Sequence, residues 1–236
     1  MSQEIILVVD DDREIVRAIA INLEAEGFRV RKAYDGLEAL DILTTADVRL
    51  IVMDVMMPRL DGLSAVMKIR ERRNIPIILL SAKSEESDKI LGLSMGADDY
   101  VTKPFSPQEL TARVKSQLRR YMQLGGVHTP QEDVVTVGRL SFDFSNRILT
   151  ADGEPVKLTA TETGIMELLM RHPGRIFPAE EIYSRVWQEE VSYQPENTVM
   201  VHIRRIRSKI ELNPKEPEYL KVVWGIGYKI ERHDGA

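Results

Sequence analysis

Along the first half of the chain, apolar runs of strand length alternate with longer segments of helical period. IILVV (5–9), FRVRKA (28–33), LIVM (50–53), IPIILL (75–80) and DYVT (99–102) are the strand-like runs. Between them lie EIVRAIAINLEAEG (14–27), GLEALDILTT (36–45), LSAVMKIRER (63–72), ESDKILGLSMG (86–96) and SPQELTARVKSQLRRY (106–121). In the first of these, Ile15, Ala18, Ile19, Asn22 and Leu23 recur on one face, and Gly27 is a stop signal. Strand and helix alternating five times predict a parallel sheet covered by helices on both faces, a doubly wound (βα)5 α/β unit. Such sheets hold their ligands at the carboxyl ends of the strands.

The second half is patterned differently. Short strand-like pieces come first (VGRLSFDF, RILTADG, EPVKL), then three helical patterns, then EYLKVVWGIGYKIE, which reads as a terminal hairpin. Thr159 and Glu162 have the spacing of a capping box at the first of those helices. Between the halves, residues 122–135 contain a Gly pair, a Pro and polar residues without sustained period, which predicts a linker. The expected organisation is therefore 1–121, a linker at 122–135, and 136–232.

Composition narrows the chemistry. Cysteine is absent, which excludes disulfides and thiolate zinc sites. The N-terminal run IILVV is too short for a signal peptide and no stretch approaches a membrane span, so a cytoplasmic chain is expected. The net charge of −5 divides into −2 for residues 1–120 and −3 for 121–236. Neither half is basic overall, so any contact with nucleic acid has to rest on local clustering.

Several polar residues sit where a predicted strand ends: Asp10 and Asp11 after the first, Asp54 after the third, Ser81 after the fourth and Lys103 after the fifth. Any one alone reads more readily as a helix cap or loop residue. Together, in a parallel sheet, they converge on one edge. Three close carboxylates repel unless a hard cation neutralises them, and oxygen-only ligation suits Mg²⁺. An aspartate beside such a cation can accept a phosphoryl group, with Lys103 pairing with it as a point charge and the Ser81 hydroxyl donating to it. Asp12, next along, suits the first turn of the following helix.

VVDDD, MDVMMPRLDG, LLSAK and DDYVTKPF together resemble the motif set of bacterial response-regulator receiver domains. The resemblance spans nearly all of residues 3–121. It implies phosphorylation of Asp54 by a sensor histidine kinase. It also implies Mg²⁺ held by Asp11, Asp54 and the Met56 backbone carbonyl, with Asp10 assisting through water, and a cis Lys103–Pro104 bond. Ser81 and Tyr100 resemble the family's switch pair. Lys89, Asp98, Asp99, Glu109, Arg113 and Lys115 resemble the set through which such receivers dimerise, pairing Lys89 with Glu109, Asp99 with Arg113 and Asp98 with Lys115 across two chains. A haloacid-dehalogenase-type phosphatase also uses Asp, Ser, Lys and Mg²⁺, but it needs a second acid two residues after the nucleophile, where this chain has Met56.

In NTVMVHIRRIRSKI (197–210), Val199, Ile203, Ile206 and Ile210 form one apolar stripe, and four cations occur without an acid. That is a local basic helix of major-groove type, although a solvated basic face has the same pattern. LTATE, RIFPAEEIYSRVW, this helix and VVWGIGYKI resemble the winged-helix effector of the OmpR/PhoB type over 136–232, with features of its VanR-like branch. The resemblance implies base contacts from Val201 and Arg205 and phosphate contacts from Thr198, His202, Arg204 and Arg207. It further implies a wing at 221–229 bearing Trp224 and Lys229, and an RNA-polymerase contact in the loop after Trp187. Trp224 stands where some relatives carry a wing arginine, and Gly164 weakens its helix by roughly 1 kcal/mol. The expected activity is that of a phosphorylation-dependent, promoter-binding homodimer. Its only catalysis would be its own Mg²⁺-dependent phosphorylation and dephosphorylation.

Overall fold

The structure is a computed structural model that describes residues 4–82, 85–123, 134–188 and 195–232. The chain divides into two compact units, Met1–Tyr121 and Met122–Ala236.

In the N-terminal unit, β1 (Ile5–Val9), β2 (Arg29–Ala33), β3 (Val48–Asp54), β4 (Ile77–Ser81) and β5 (Asp99–Thr102) form one sheet in the order β2-β1-β3-β4-β5. Every pairing is parallel. The strands β1, β3 and β4 read as continuous apolar runs because helices cover both faces, leaving Ile6, Val8, Leu50, Val52, Ile78 and Leu80 fully buried. By contrast, β2 lies at the edge and reads RVRKA, with only Ala33 buried. The helices are α1 (Arg13–Ala25), α2 (Gly36–Thr45), α3 (Gly62–Arg72), α4 (Glu86–Ser94) and α5 (Pro107–Gln123). Three of them start on aspartate caps: Asp12, Asp35 and Asp61 each accept from the amides of their first turn. On α1 the buried face is Val16, Ile19, Ala20 and Leu23, one residue round from the expected stripe. Ala18 and Asn22 are exposed, because α1 rests on the sheet through the neighbouring row and not through the one with the longer repeat.

The C-terminal unit opens with an antiparallel sheet of β6 (Val134–Val137), β7 (Leu140–Asp143), β8 (Ile148–Ala151) and β9 (Glu154–Pro155). Then come α6 (Ala160–Met170), α7 (Ala179–Trp187) and α8 (Pro195–Ile210), and a hairpin of β10 (Leu220–Val223) and β11 (Gly227–Ile230). Phe142, Ile165, Phe177, Trp187, Ile203 and Ile206 meet in one apolar core. The capping box Thr159–Glu162 is formed. A Cβ at Gly164 would lie 3.2 Å from Val186 Cγ1, so the glycine lets α6 approach α7 closely. Both ends of the expected 122–135 linker are in regular structure: α5 runs to Gln123 and β6 begins at Val134. Residues 124–133 lie outside the described residues.

Candidate active site and nucleic-acid interface

Strand order reverses direction between β1 and β3, and in an open parallel sheet the crevice at that switch point is where ligands sit. Asp10 follows β1, and Asp54 is the last residue of β3; they are 1% and 4% exposed. Lys103, just past β5, reaches over both: its Nζ is 2.6 Å from Asp10 Oδ2 and 2.6 Å from Asp54 Oδ1. The backbone holds this arrangement. The Met56 amide donates to Asp54 Oδ2 at 2.6 Å and the Asp12 amide to Asp10 Oδ1 at 3.0 Å. The Lys103 amide donates to the Ser81 carbonyl at 2.7 Å, and the Lys103–Pro104 bond is cis. Gly62 allows the loop after Asp54 to fold back, since a Cβ there would lie 2.1 Å from the Asp54 carbonyl oxygen. Ser81 is buried at the end of β4, whereas Asp11, next to Asp10, is exposed.

One ammonium for two buried carboxylates leaves a net negative charge. Burial pushes the Asp54 carboxyl above its ordinary 3.8, Lys103 opposes this, and Asp10 adds to it. Burial alone would lower the Lys103 ammonium, but its contacts with Asp10 and Asp54 outweigh that and hold it above 10.5.

In the C-terminal unit, the stripe Val199, Ile203, Ile206 and Ile210 of α8 is buried as its spacing predicts. Arg204 is exposed and Thr198 half-buried. The Arg207 Nε donates to the Leu220 carbonyl at 2.8 Å, tying α8 to the base of the β10–β11 hairpin. At the turn of that hairpin Trp224 is 88% exposed. Lys229 pairs with Glu231 at 2.8 Å.

Residues 6–115 match the family described as response regulator receiver domain, and residues 153–230 match the transcriptional regulatory protein, C-terminal family. The chain is 41% identical to the uncharacterized transcriptional regulatory protein YcbL of Bacillus subtilis, over 95% of this chain and 99% of that one. It is 40% identical to the regulatory protein VanR of Enterococcus faecium, over 96% of this chain and 98% of that one. The solved structure of DrrB, a Thermotoga maritima OmpR/PhoB homologue, is 32% identical with a TM-score of 0.52, covering 98% of this chain and all of that one. The chain belongs to the OmpR/PhoB family of response regulators.

The regulator thus couples a phosphorylatable receiver to a winged-helix DNA-binding region, and its family works with histidine kinases. It is a transcription regulator. No helix among its described residues is long and apolar enough to cross a membrane.

Several expected roles need correction. Asp98 is not a surface partner for Lys115. It is fully buried, 2.6 Å from the Arg70 guanidinium, and accepts from the Ile77 amide at 3.0 Å. A carboxylate at that depth is retained only with its cation beside it. Lys115 instead pairs with Glu26 of α1 at 2.6 Å. Asp99 and Glu109 both pair with Arg113 within the same chain, at 3.0 and 3.1 Å, and Lys89 is half-buried on α4. On α8, Val201 and His202 are 1% and 0% exposed, so neither reaches a base or phosphate. The His202 ring meets the Trp187 ring edge-on at 5.4 Å. Arg205 pairs with the buried Glu162 at 3.0 Å, and Lys209 joins it at 2.6 Å. Asp12 is the cap of α1, accepting from the Glu14 and Ile15 amides, and precedes the first turn.

Ser81 and Tyr100 lie on adjacent strands: Ser81 is opposite Thr102, and Tyr100 is opposite Leu79. With a side-chain period of two, both point to the same face of the sheet. Tyr100 is 9% exposed. The loop after Asp54 also contains a residue to which the motif MDVMMPRLDG assigned no role. Arg59 adopts φ 63° and pairs with Asp35 and, at 2.9 Å, with Glu38, fastening that loop to the start of α2. Of the loop expected to contact RNA polymerase, QEEVSYQP (188–195), residues 189–194 lie outside the described residues.

Proposed function

We propose that Asp54 is the phosphoryl acceptor and that its modification controls DNA binding by a receiver dimer. The observation that carries this reading is Lys103 bridging two buried carboxylates at the strand-order switch point. An Asp54 oxygen attacks phosphorus of the kinase phosphohistidine. The new O–P bond forms as the N–P bond breaks, and the imidazole nitrogen keeps the electron pair and takes up a proton. Lys103 and the Ser81 hydroxyl then face the phosphoryl oxygens. A hydroxyl drawn toward that group changes the space open to Tyr100, which is the proposed link to the α4–β5–α5 face.

Among the described residues no three His, Cys, Asp or Glu side chains stand together as a metal cluster, and Lys103 bridges Asp10 and Asp54. The donor chemistry nevertheless fits a hard divalent cation. It is oxygen-only and carries uncompensated negative charge, and burial together with the Asp10 charge keeps the Asp54 carboxyl above its ordinary range. Asp11, Asp54 and the Met56 carbonyl would hold Mg²⁺, with Asp10 acting through water. Bound there, the ion would supply positive charge against the phosphoryl oxygens.

The domain limits proposed are 1–121 and 136–232, a division supported by the two compact units. Dimerisation uses the face bearing Lys89, Asp99, Glu109 and Arg113, where ion pairs now closed within the chain through Arg113 would be shared with a second copy and set register more than affinity. DNA is contacted by Thr198, Arg204 and Arg207 of α8 and by Trp224 and Lys229 of the wing, and promoter output requires RNA polymerase.

The test is Asp54→Asn with acetyl phosphate as donor. The native chain is expected to shift to dimer in sedimentation and to bind promoter DNA more tightly, while the variant does neither. Acetyl-phosphate-driven dimerisation that survives the substitution overturns the assignment.

A further inference from the structure

The β10–β11 hairpin is anchored firmly at its base and bare at its tip. Leu220 and Ile230 are fully buried in the C-terminal core. Phe177 and Tyr228 exchange both backbone hydrogen bonds at 2.9 Å, and a Cβ at Gly227 would lie 2.1 Å from the Phe177 carbonyl oxygen. The turn closes through the Ile226 amide on the Val223 carbonyl at 3.0 Å. It projects Trp224, 88% exposed, and Ile226, 57% exposed. An exposed Trp–Gly–Ile tip on a rigid support is not packed into the core of the described residues and marks an interaction surface.

The charges around the tip identify what covers it. Lys221 and Lys229 are directly opposite one another in the hairpin register, and Glu231 takes up Lys229 at 2.8 Å, so one carboxylate offsets only part of the positive charge on this strand pair. Arg207 joins the same base through the Leu220 carbonyl. A cationic frame around an apolar tip matches a duplex groove: phosphates along the walls, and sugars and base edges inside. The indole N–H is a donor only, and the minor-groove floor offers adenine N3 and thymine O2 as acceptors.

We propose that Trp224 and Ile226 form an apolar wedge that enters the DNA minor groove and opens it. At that position the protein then reads the deformability of the duplex, where an arginine would read its electrostatic potential. This rests on the DNA-binding reading above and specifies how the wing uses it. Wedging side chains unstack base steps, and pyrimidine–purine steps such as TA and CA yield most easily. Such steps are selected under the wing.

The experiment uses the full chain treated with acetyl phosphate and duplexes that the native protein enriches from a random-sequence pool. Enrichment of TA or CA steps at a fixed distance from the half-site is expected, with bending of the duplex in a gel-phasing assay. Trp224→Ala loses roughly tenfold in affinity, in the range of aromatic–base contacts removed by alanine, and loses the bend and the step preference. Trp224→Arg regains affinity but shifts the preference to stiff, narrow A-tracts. Emission from Trp187, the other tryptophan and fully buried, confirms that each variant is folded. Trp224→Ala binding the enriched duplex with native affinity, bend and preference overturns the wedge while leaving the DNA-binding reading intact. A native protein that enriches no duplex overturns both. A change in oligomeric state of Trp224→Ala without DNA assigns the tip to a second copy and also overturns the wedge.

Discussion

The acidic pocket and the basic helix both looked like clusters of like charge, and the fold treats them in opposite ways. At the strand ends, residues far apart in sequence are brought to one point: Asp10, Asp54 and Lys103 meet within 2.6 Å. On α8, neighbouring cations are sent to separate duties. Arg204 faces solvent, Arg205 and Lys209 clamp Glu162, and Arg207 holds the hairpin. A parallel sheet aligns all its carboxyl ends on one edge, so position in the pattern determines convergence. A helix has several faces, and which of them is free depends on what packs against it.

The largest effects come from the buried ion pairs that separate structural from functional charge. Arg70→Met should cost about 3–5 kcal/mol in urea unfolding of the regulator, because it removes the guanidinium 2.6 Å from the fully buried Asp98 carboxylate. Native-like monomer stability in that variant would return Asp98 to the dimer face.

Glu162→Gln follows, at about 2 kcal/mol for loss of charge-assisted bonds to Arg205 and Lys209. Burial alone would raise the Glu162 carboxyl, but Arg205 and Lys209 outweigh it and hold it below 4.5. Its folded pKa is depressed, so its contribution is complete above about 4.5 and disappears as pH falls through the lower folded value. Thermal melts should show the variant and the native chain converging in acid. A gap of constant size down to pH 2 would contradict the clamp.

Asp12→Ala should lower stability by about 1 kcal/mol through loss of the α1 cap. Asp11→Ala, at an exposed position, should stay within about 0.5 kcal/mol of the native chain, yet weaken Mg²⁺ binding measured by fluorescence titration. Equal effects of these two neighbours on stability would erase the division of labour within the run DDD.

The gentlest comparison concerns Arg204 and Arg205. Arg204→Ala should reduce the salt dependence of DNA binding by about one phosphate contact. Arg205→Ala should leave that slope unchanged, and its cost should appear in unfolding instead. Identical salt slopes for both variants would show that α8 presents the two arginines alike.

How much was legible differs between the halves for the same physical reason. The five strands, their order of appearance and the residues at their ends follow from alternation of period and from turn chemistry, which are local. The stripe Val199–Ile203–Ile206–Ile210 was readable for the same cause. Val201 and His202 misled because a stripe shows that one helix face is buried, not that the others are free; Trp187 of α7 covers His202. Asp98 misled because its neighbour Asp99 has the same charge, and its partners Arg70, 28 residues away, and the Ile77 amide are set by packing. Arg59 carried no signal at all, since its partners lie on α2. The Thr159–Glu162 spacing did announce Glu162, but as a cap only.

By itself, then, the sequence determined the alternation that builds a parallel sheet, the convergence of Asp10, Asp54, Ser81 and Lys103 on its carboxyl edge, and a basic helix followed by a hairpin. Those features rest on periodicity and on short-range backbone rules. The tertiary structure alone decided which charges are spent inside the protein and which remain for partners. A buried carboxylate must take whatever cation the packing brings within reach, and that partner is set by contacts between elements distant along the chain.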